Sequence, residues 1–164
     1  GVDRDAAVAA LEAMDRAERW RMELLPAPDG VTVVNDAYNA SPDSTAAALR
    51  SLAQLTRGRT RAIAVLGEMA ELGDLAGEEH DRIGELVVRL NVDQLVVVGA
   101  GARRIHLAAI AQGSWDGESI FAADLDAAYD VICDLLQPGD VVLVKSSNSA
   151  GLRHLGDRLA GIPS

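Results

Sequence analysis

Asp36, Tyr38, Asn39 and Ser41 crowd into the segment NDAYNASPDS (35–44), directly after a β-branched run. Such a segment, ending a strand and opening a helix, presents free backbone N–H groups and the positive end of the helix dipole. Both attract a phosphate or carboxylate. A strand-end acid such as Asp36 can also accept hydrogen bonds from sugar hydroxyls. A plainer reading is equally open: Asp36 and Asn39 shape the turn, and Ser41 caps the helix. A second polar run, Lys145-Ser146-Ser147-Asn148-Ser149, also follows an apolar strand and precedes a helix. It reads either as an anion clamp or as a capping cluster with a solvated lysine. A third, GEMAELGD (67–74), carries Glu68, Glu71 and Asp74, with His80 downstream. Its acids suit a substrate ammonium. The spacing matches no metal motif, and the flanking glycines suit a turn with a solvated acidic face.

Other candidates are weaker. Gly99-Ala100-Gly101 supplies the first two glycines of a dinucleotide fingerprint but has Arg104 at the third place, which favours helix-start packing. Cys133 lies in an apolar helical stretch and reads as a buried thiol. Met14, Met22 and Met69 read as core fillers, and His106 and His154 as structural or surface residues. The chain has no G-x-x-x-x-G-K-[ST] phosphate loop, no G-x-S-x-G elbow and no Cys/His metal pattern. These residues describe half of a binding site, not a complete active site.

The elements that must carry these segments are legible from periodicity. Residues 5–17 suit an amphipathic helix. Strands at 20–25 and 31–36 flank the turn PAPDG, and so short a link makes them antiparallel. Helices at 42–55, 78–90, 102–111, 125–136 and 150–160 then alternate with strands at 62–66, 94–98, 119–122 and 141–144. Ser41 and Pro42 stand where an N-cap and a first helical residue belong. Runs such as LVVV and VVLV need cover on both faces, which crossover helices supply in parallel sheets. The expected fold is α/β: a doubly wound, Rossmann-like, mostly parallel six-stranded sheet with one antiparallel edge strand. Ligands in such sheets bind beyond the carboxyl ends of the strands, where all three polar segments fall.

Composition bounds the partners. The 164 residues carry a formal charge of −10, which disfavours nucleic acid and anionic membrane surfaces. No run of about 18 apolar residues suggests a membrane span. The single cysteine fits a reducing compartment, so a cytoplasmic location is expected. The chain begins at Gly1 without an initiator methionine and without signal-peptide features, and reads as an excised fragment.

Arg21-Met22-Glu23 with VVNDAYNASPDSTAAALRSL (33–52) resembles the opening of the third domain of the Mur ligases. AVLGEMAELGD (64–74) with His80, and GDVVLVKSSNS (139–149), resemble that domain's next signatures, in family order. Residues 1–18 look like the end of the central domain or a linker helix, and 19–164 like the C-terminal substrate-binding domain. The GEMAELG loop is most similar to the branch that adds D-alanyl-D-alanine to UDP-N-acetylmuramoyl-tripeptide in peptidoglycan precursor synthesis.

The resemblance implies ATP-dependent amide ligation. ATP activates a carboxylate of the UDP-linked tripeptide as an acyl phosphate, and the amine of D-Ala-D-Ala attacks it. ATP and Mg2+ would be held mainly by a central domain, so the fragment alone is expected to be inactive. The implied nucleotide-binding residues are Arg21, Asp36, Tyr38 and Asn39. The implied substrate-binding residues are Ser41, Glu68, Glu71, Lys145, Ser147 and Asn148. The implied partners are the N-terminal and central domains of the same chain, in a monomer. One departure matters: the family pattern after the last strand is closer to Lys-Gly-Ser-Arg, and here Asn148 replaces that arginine, a bidentate carboxylate partner. Another Mur or folylpolyglutamate ligase, a nucleotide-binding module and a docking domain are the alternatives.

Overall fold

The computed structural model describes residues 19–163. The expected helix over 5–17, the domain boundary at 18 and Met14 lie outside the described residues. The strands are β1 (Glu23–Pro26), β2 (Thr32–Asn35), β3 (Ala62–Leu66), β4 (Gln94–Val98), β5 (Glu118–Ala122) and β6 (Val141–Lys145). The α-helices among the described residues are α1 (Pro42–Thr56), α2 (Ala76–Arg89), α3 (Arg103–Ile110), α4 (Leu125–Leu135) and α5 (Leu152–Leu159). The six strands form one sheet in the order β1-β2-β6-β3-β4-β5. Only the β1–β2 pair is antiparallel; the others run parallel. The expected doubly wound sheet with one antiparallel edge strand is therefore found.

Side-chain alternation sorts the strands into two cores. Val34, Ala62, Ala64, Leu66, Leu95, Val97 and Leu143 face α1, α2 and α3. Val33, Ile63, Val65, Val96, Val142 and Val144 face α4 and α5. Every residue of β3, β4 and β6 is buried, as two-sided cover requires. Gly84 lets α2 and α3 approach closely: a Cβ there would stand 2.3 Å from the Ile105 carbonyl oxygen.

The strand order, which local periodicity does not encode, decides where a ligand can sit. β6 enters between β2 and β3. It leads to α5 on one face, whereas β2 and β3 lead to α1 and α2 on the other. The chain therefore parts on both sides of the β6 carboxyl end and leaves a crevice there.

Several local expectations are corrected. β1 starts at Glu23, not at residue 20, because Trp20 and Met22 adopt left-handed backbone (φ 64° and 48°). Met22 is 40% exposed and is no core filler. Cys133 is exposed; α4 buries Ala128 and Ile132, and Cys133 lies a further 100° around the helix. The last helix begins at Leu152, because Gly151 turns the chain with a positive φ of 73°. α2 begins at Ala76, two residues before the expected start. Met69 is buried as expected.

Candidate functional site

Three loops meet around the β6 carboxyl end, and buried polar groups hold them together. The Asp36 backbone N–H donates to the Val144 carbonyl, carrying the ladder one step past β2. The Lys145 side chain is only 2% exposed and that of Asp36 15%. The Lys145 ammonium has three N–H donors. It donates to Asp36 Oδ2 at 2.7 Å, to the Asn39 carbonyl at 2.9 Å and to the Asp36 carbonyl at 3.4 Å. A lysine so placed is tolerable only with its charge matched and its donors used. Lys145 is thus neither solvated nor open to an anion.

The other Asp36 oxygen, Oδ1, accepts the Met22 backbone N–H at 3.0 Å. The Tyr38 N–H donates to the Trp20 carbonyl at 3.0 Å. The Arg21 guanidinium lies 4.5 Å from the centre of the Tyr38 ring, in cation–π range. Arg21, Asp36, Tyr38 and Asn39 therefore form one cluster, with Arg21, Tyr38 and Asn39 exposed at its rim. Asn39 Oδ1 accepts the Ala40 N–H at 2.9 Å, a local turn contact. Ser41 completes a capping box with Ser44, and Pro42 takes the first helical position. The capping role read from the sequence is present, and the exposed Ser41 stands at the same rim.

Ser147 fastens the three loops together. Its hydroxyl accepts the Ala70 N–H at 2.7 Å and donates to the Ala40 carbonyl at 3.4 Å. Its N–H donates to the Glu68 carbonyl at 2.9 Å. It is buried, so its hydroxyl faces protein rather than ligand. Gly67 permits this closeness, since a Cβ there would meet Ser146 Cβ at 2.8 Å. Glu68 and Glu71 are exposed. The Glu68 carboxylate lies over Gly101, where a Cβ would stand 2.5 Å from Glu68 Cδ. His80 is buried behind this loop: Nε2 accepts the Met69 N–H at 3.0 Å, and Nδ1 faces the Ala76 carbonyl at 2.6 Å. These partners put the ring proton on Nδ1. His80 shapes the loop from inside. Among the described residues, no three His, Cys, Asp or Glu side chains are grouped to hold a metal ion. They do not fit a magnesium site of their own.

Asn148 is exposed, in the loop after β6. Its carbonyl and Oδ1 both accept from Arg153 Nη1, at 2.8 and 2.5 Å. Two residues here escaped sequence reasoning, Arg153 and Asp157. The buried Asp157 carboxylate accepts from Arg19 Nη2 (2.7 Å), Trp20 Nε1 (3.0 Å) and Asn35 Nδ2 (3.2 Å). It anchors the segment entering the domain onto α5. No local signal marks it, because its partners Arg19 and Trp20 are 138 and 137 residues away.

The rim offers an acid held in place, an aromatic face, amides and separate acidic and cationic groups. Such equipment is suited to holding a polar ligand.

The family described as "Mur ligase, glutamate ligase domain" matches residues 20–148. The chain is 45% identical to the UDP-N-acetylmuramoyl-tripeptide--D-alanyl-D-alanine ligase of Mycobacterium leprae, over 98% of this chain and 34% of that relative. It is similar in structure to MurF of Acinetobacter baumannii (TM-score 0.77, 25% identity), covering 98% of this chain and 34% of that one. It shares the fold of Thermotoga maritima MurF ligase in complex with ADP (TM-score 0.73, 24% identity), covering 91% of this chain and 32% of that one. The chain spans about a third of the length of the curated relatives it matches. Given this match over most of its length, the chain belongs to the Mur ligase family, as the C-terminal, glutamate ligase domain.

Proposed function

We propose that this domain is the closing lobe of an ATP-dependent ligase that joins D-alanyl-D-alanine to UDP-N-acetylmuramoyl-tripeptide. The observation that carries the reading is the Asp36 carboxylate, fixed at the β2 carboxyl end by Lys145 and the Met22 N–H beside the Arg21–Tyr38 pair. An acid so placed suits the hydroxyls of a ribose. The names of the mycobacterial relatives and the ADP held by the Thermotoga relative support the same reading.

In this account, the γ-phosphoryl group of ATP would pass to a carboxylate of the tripeptide, with ADP as the leaving group, on the neighbouring central lobe, where Mg2+ would also be held. The amine of the dipeptide then attacks the acyl carbon and phosphate leaves. The residues of this domain bind, orient and exclude water. Asp36 takes the ribose hydroxyls, and Arg21, Tyr38 and Asn39 line the nucleotide side. Ser41 faces the reaction centre from the head of α1. Glu68 and Glu71 face the dipeptide ammonium, which needs acidic partners. Lys145 and Ser147, both buried, act as positioning residues and do not touch substrate. Closure of such a lobe keeps water from a hydrolysable acyl phosphate. The enzyme works as a monomer in the bacterial cytoplasm. Among the described residues, no helix is long and apolar enough to cross a membrane.

The test is phosphate release by the three-domain ligase against a panel of amines, with UDP-linked tripeptide as acceptor. Turnover is expected with D-Ala-D-Ala, and none from the 164-residue chain alone. Preference for a single amino acid such as glutamate, or turnover by the isolated chain, would overturn the reading.

A further inference from the structure

At the amino ends of β3 and β4, opposite the crevice, two loops wall an open cavity of about 650 Å³. One is Arg57-Gly58-Arg59-Thr60-Arg61, between α1 and β3; the other runs from Arg89, at the end of α2, to Asp93. Gly58 turns the first with a φ of 69°, and Asn91 turns the second with a φ of 52°. Asp93 Oδ2 accepts the Ala62 N–H at 2.7 Å, and the Asp93 N–H donates to the Ala62 carbonyl at 3.1 Å. These two bonds tie the loops together. The five residues of β3 hold the cavity about 16 Å from the crevice.

Four of the 15 cationic side chains line this one cavity, in a chain of formal charge −10, so the sign of the charge is reversed locally. Two of the four are matched: Arg61 reaches Asp140 at 3.5 Å, and Arg89 reaches Glu85 at 3.5 Å. The exposed side chains of Arg57 and Arg59 have no hydrogen bond or ion pair among the described residues. A basic group near a helix C-terminus offsets the carbonyl ends. That accounts for Arg89 in the last turn of α2 and for Arg57 at the end of α1. It does not account for Arg59, two residues past the cap of α1. Guanidiniums from two loops around one cavity suit an oxyanion with acceptors in several directions, as a phosphoryl group has; a single planar carboxylate serves one fork. Thr60 and Asn91 add neutral donors to the wall. Among the described residues no aromatic side chain lines the cavity, so it offers a nucleobase no stacking face.

We propose that this cavity binds a compact phosphorylated anion, at a site separate from the crevice. The proposal stands independently of the ligase reading.

Inorganic pyrophosphate is the probe, titrated into the isotope-labelled 164-residue chain at about 50 mM salt, where a local charge cluster is not fully screened. Saturable NMR shifts of the backbone amides are expected over residues 57–61 and at Asn91, with a Kd of about 1 mM or tighter. Arg57→Met and Arg59→Met should each weaken binding about 10-fold, the loss of one charge-assisted contact. Neither side chain has a partner to lose among the described residues, so Tm should hold. Arg50→Met removes an exposed arginine outside the cavity and should leave the affinity unchanged. Tricarballylate, a carboxylate of similar charge, should bind more weakly. The same titration of the three-domain ligase, with ADP present, serves if the isolated chain does not fold. Non-saturating shifts spread over all the arginines would overturn the proposal, as simple screening. So would binding that survives both substitutions, shifts confined to the loops at Asp36 and Ser147, or tricarballylate binding as tightly as pyrophosphate.

Discussion

Replacing Lys145 with methionine removes a buried ammonium and leaves a side chain of similar length. Asp36 Oδ2 then loses its 2.7 Å partner, and the Asn39 carbonyl loses a donor at 2.9 Å. Breaking a buried pair from one side costs about 3–5 kcal/mol. Water reaches Asp36, whose side chain is 15% exposed, so the lower end applies, about 3 kcal/mol. For a domain of this size, that corresponds to a fall of about 6–12 °C in Tm. Asp36→Asn should cost more, because Lys145 is only 2% exposed and its charge would be stranded where water cannot reach. The double variant should recover part of the loss, with a coupling of about 1–3 kcal/mol. Denaturant unfolding of the 164-residue chain and its three variants gives these values directly. A Lys145→Met variant within about 1 kcal/mol of wild type, or strictly additive single effects, would refute the argument that the pair is buried and coupled.

Three further outcomes follow from other parts of the fold. Ser41→Ala removes the cap of α1 and should destabilise the chain by about 1 kcal/mol in urea unfolding; no change would show that the capping box is not formed in solution. Gly84→Val puts a side chain where a Cβ already stands 2.3 Å from the Ile105 carbonyl oxygen, and should cost at least about 1–3 kcal/mol by separating α2 from α3; a wild-type melting curve would contradict that packing. Burial, and then the positive charge of Arg103, lower the His106 pKa below its usual value. The folded state thus favours the neutral ring, so its contribution is full above about pH 6.5 and is lost as pH falls from there through the lower folded value. An NMR titration of His106 with a midpoint above about 6.5, the ordinary histidine value, would reverse the sign.

Much of this was legible in the chain, for physical reasons that also explain what was not. AIAVL, QLVVV and VVLVK read as strands buried on both faces, because β-branched runs without polar alternation need two-sided cover. Ser41-Pro42 marked the head of α1 through capping chemistry that is local in sequence. The insertion of β6 between β2 and β3 is a long-range packing outcome, and no local pattern encodes it. Lys145 after a strand looks like an ordinary solvated lysine; its burial depends on Asp36 and Asn39, both more than a hundred residues earlier. The same distance hides Asp157 from Arg19 and Trp20. Cys133 misled because α4 is apolar beyond its buried stripe of Ala128 and Ile132.

The placement of the nucleotide against Asp36 is tested most directly by changing the sugar. In the three-domain ligase, kcat/KM for 2′,3′-dideoxy-ATP should fall about 10-fold or more below that for ATP, the loss of hydrogen bonds to a charged acceptor. Asp36→Ala should treat the two nucleotides alike. A variant that still discriminates as strongly as wild type would show that the ribose is held elsewhere, and the account of this crevice would be wrong.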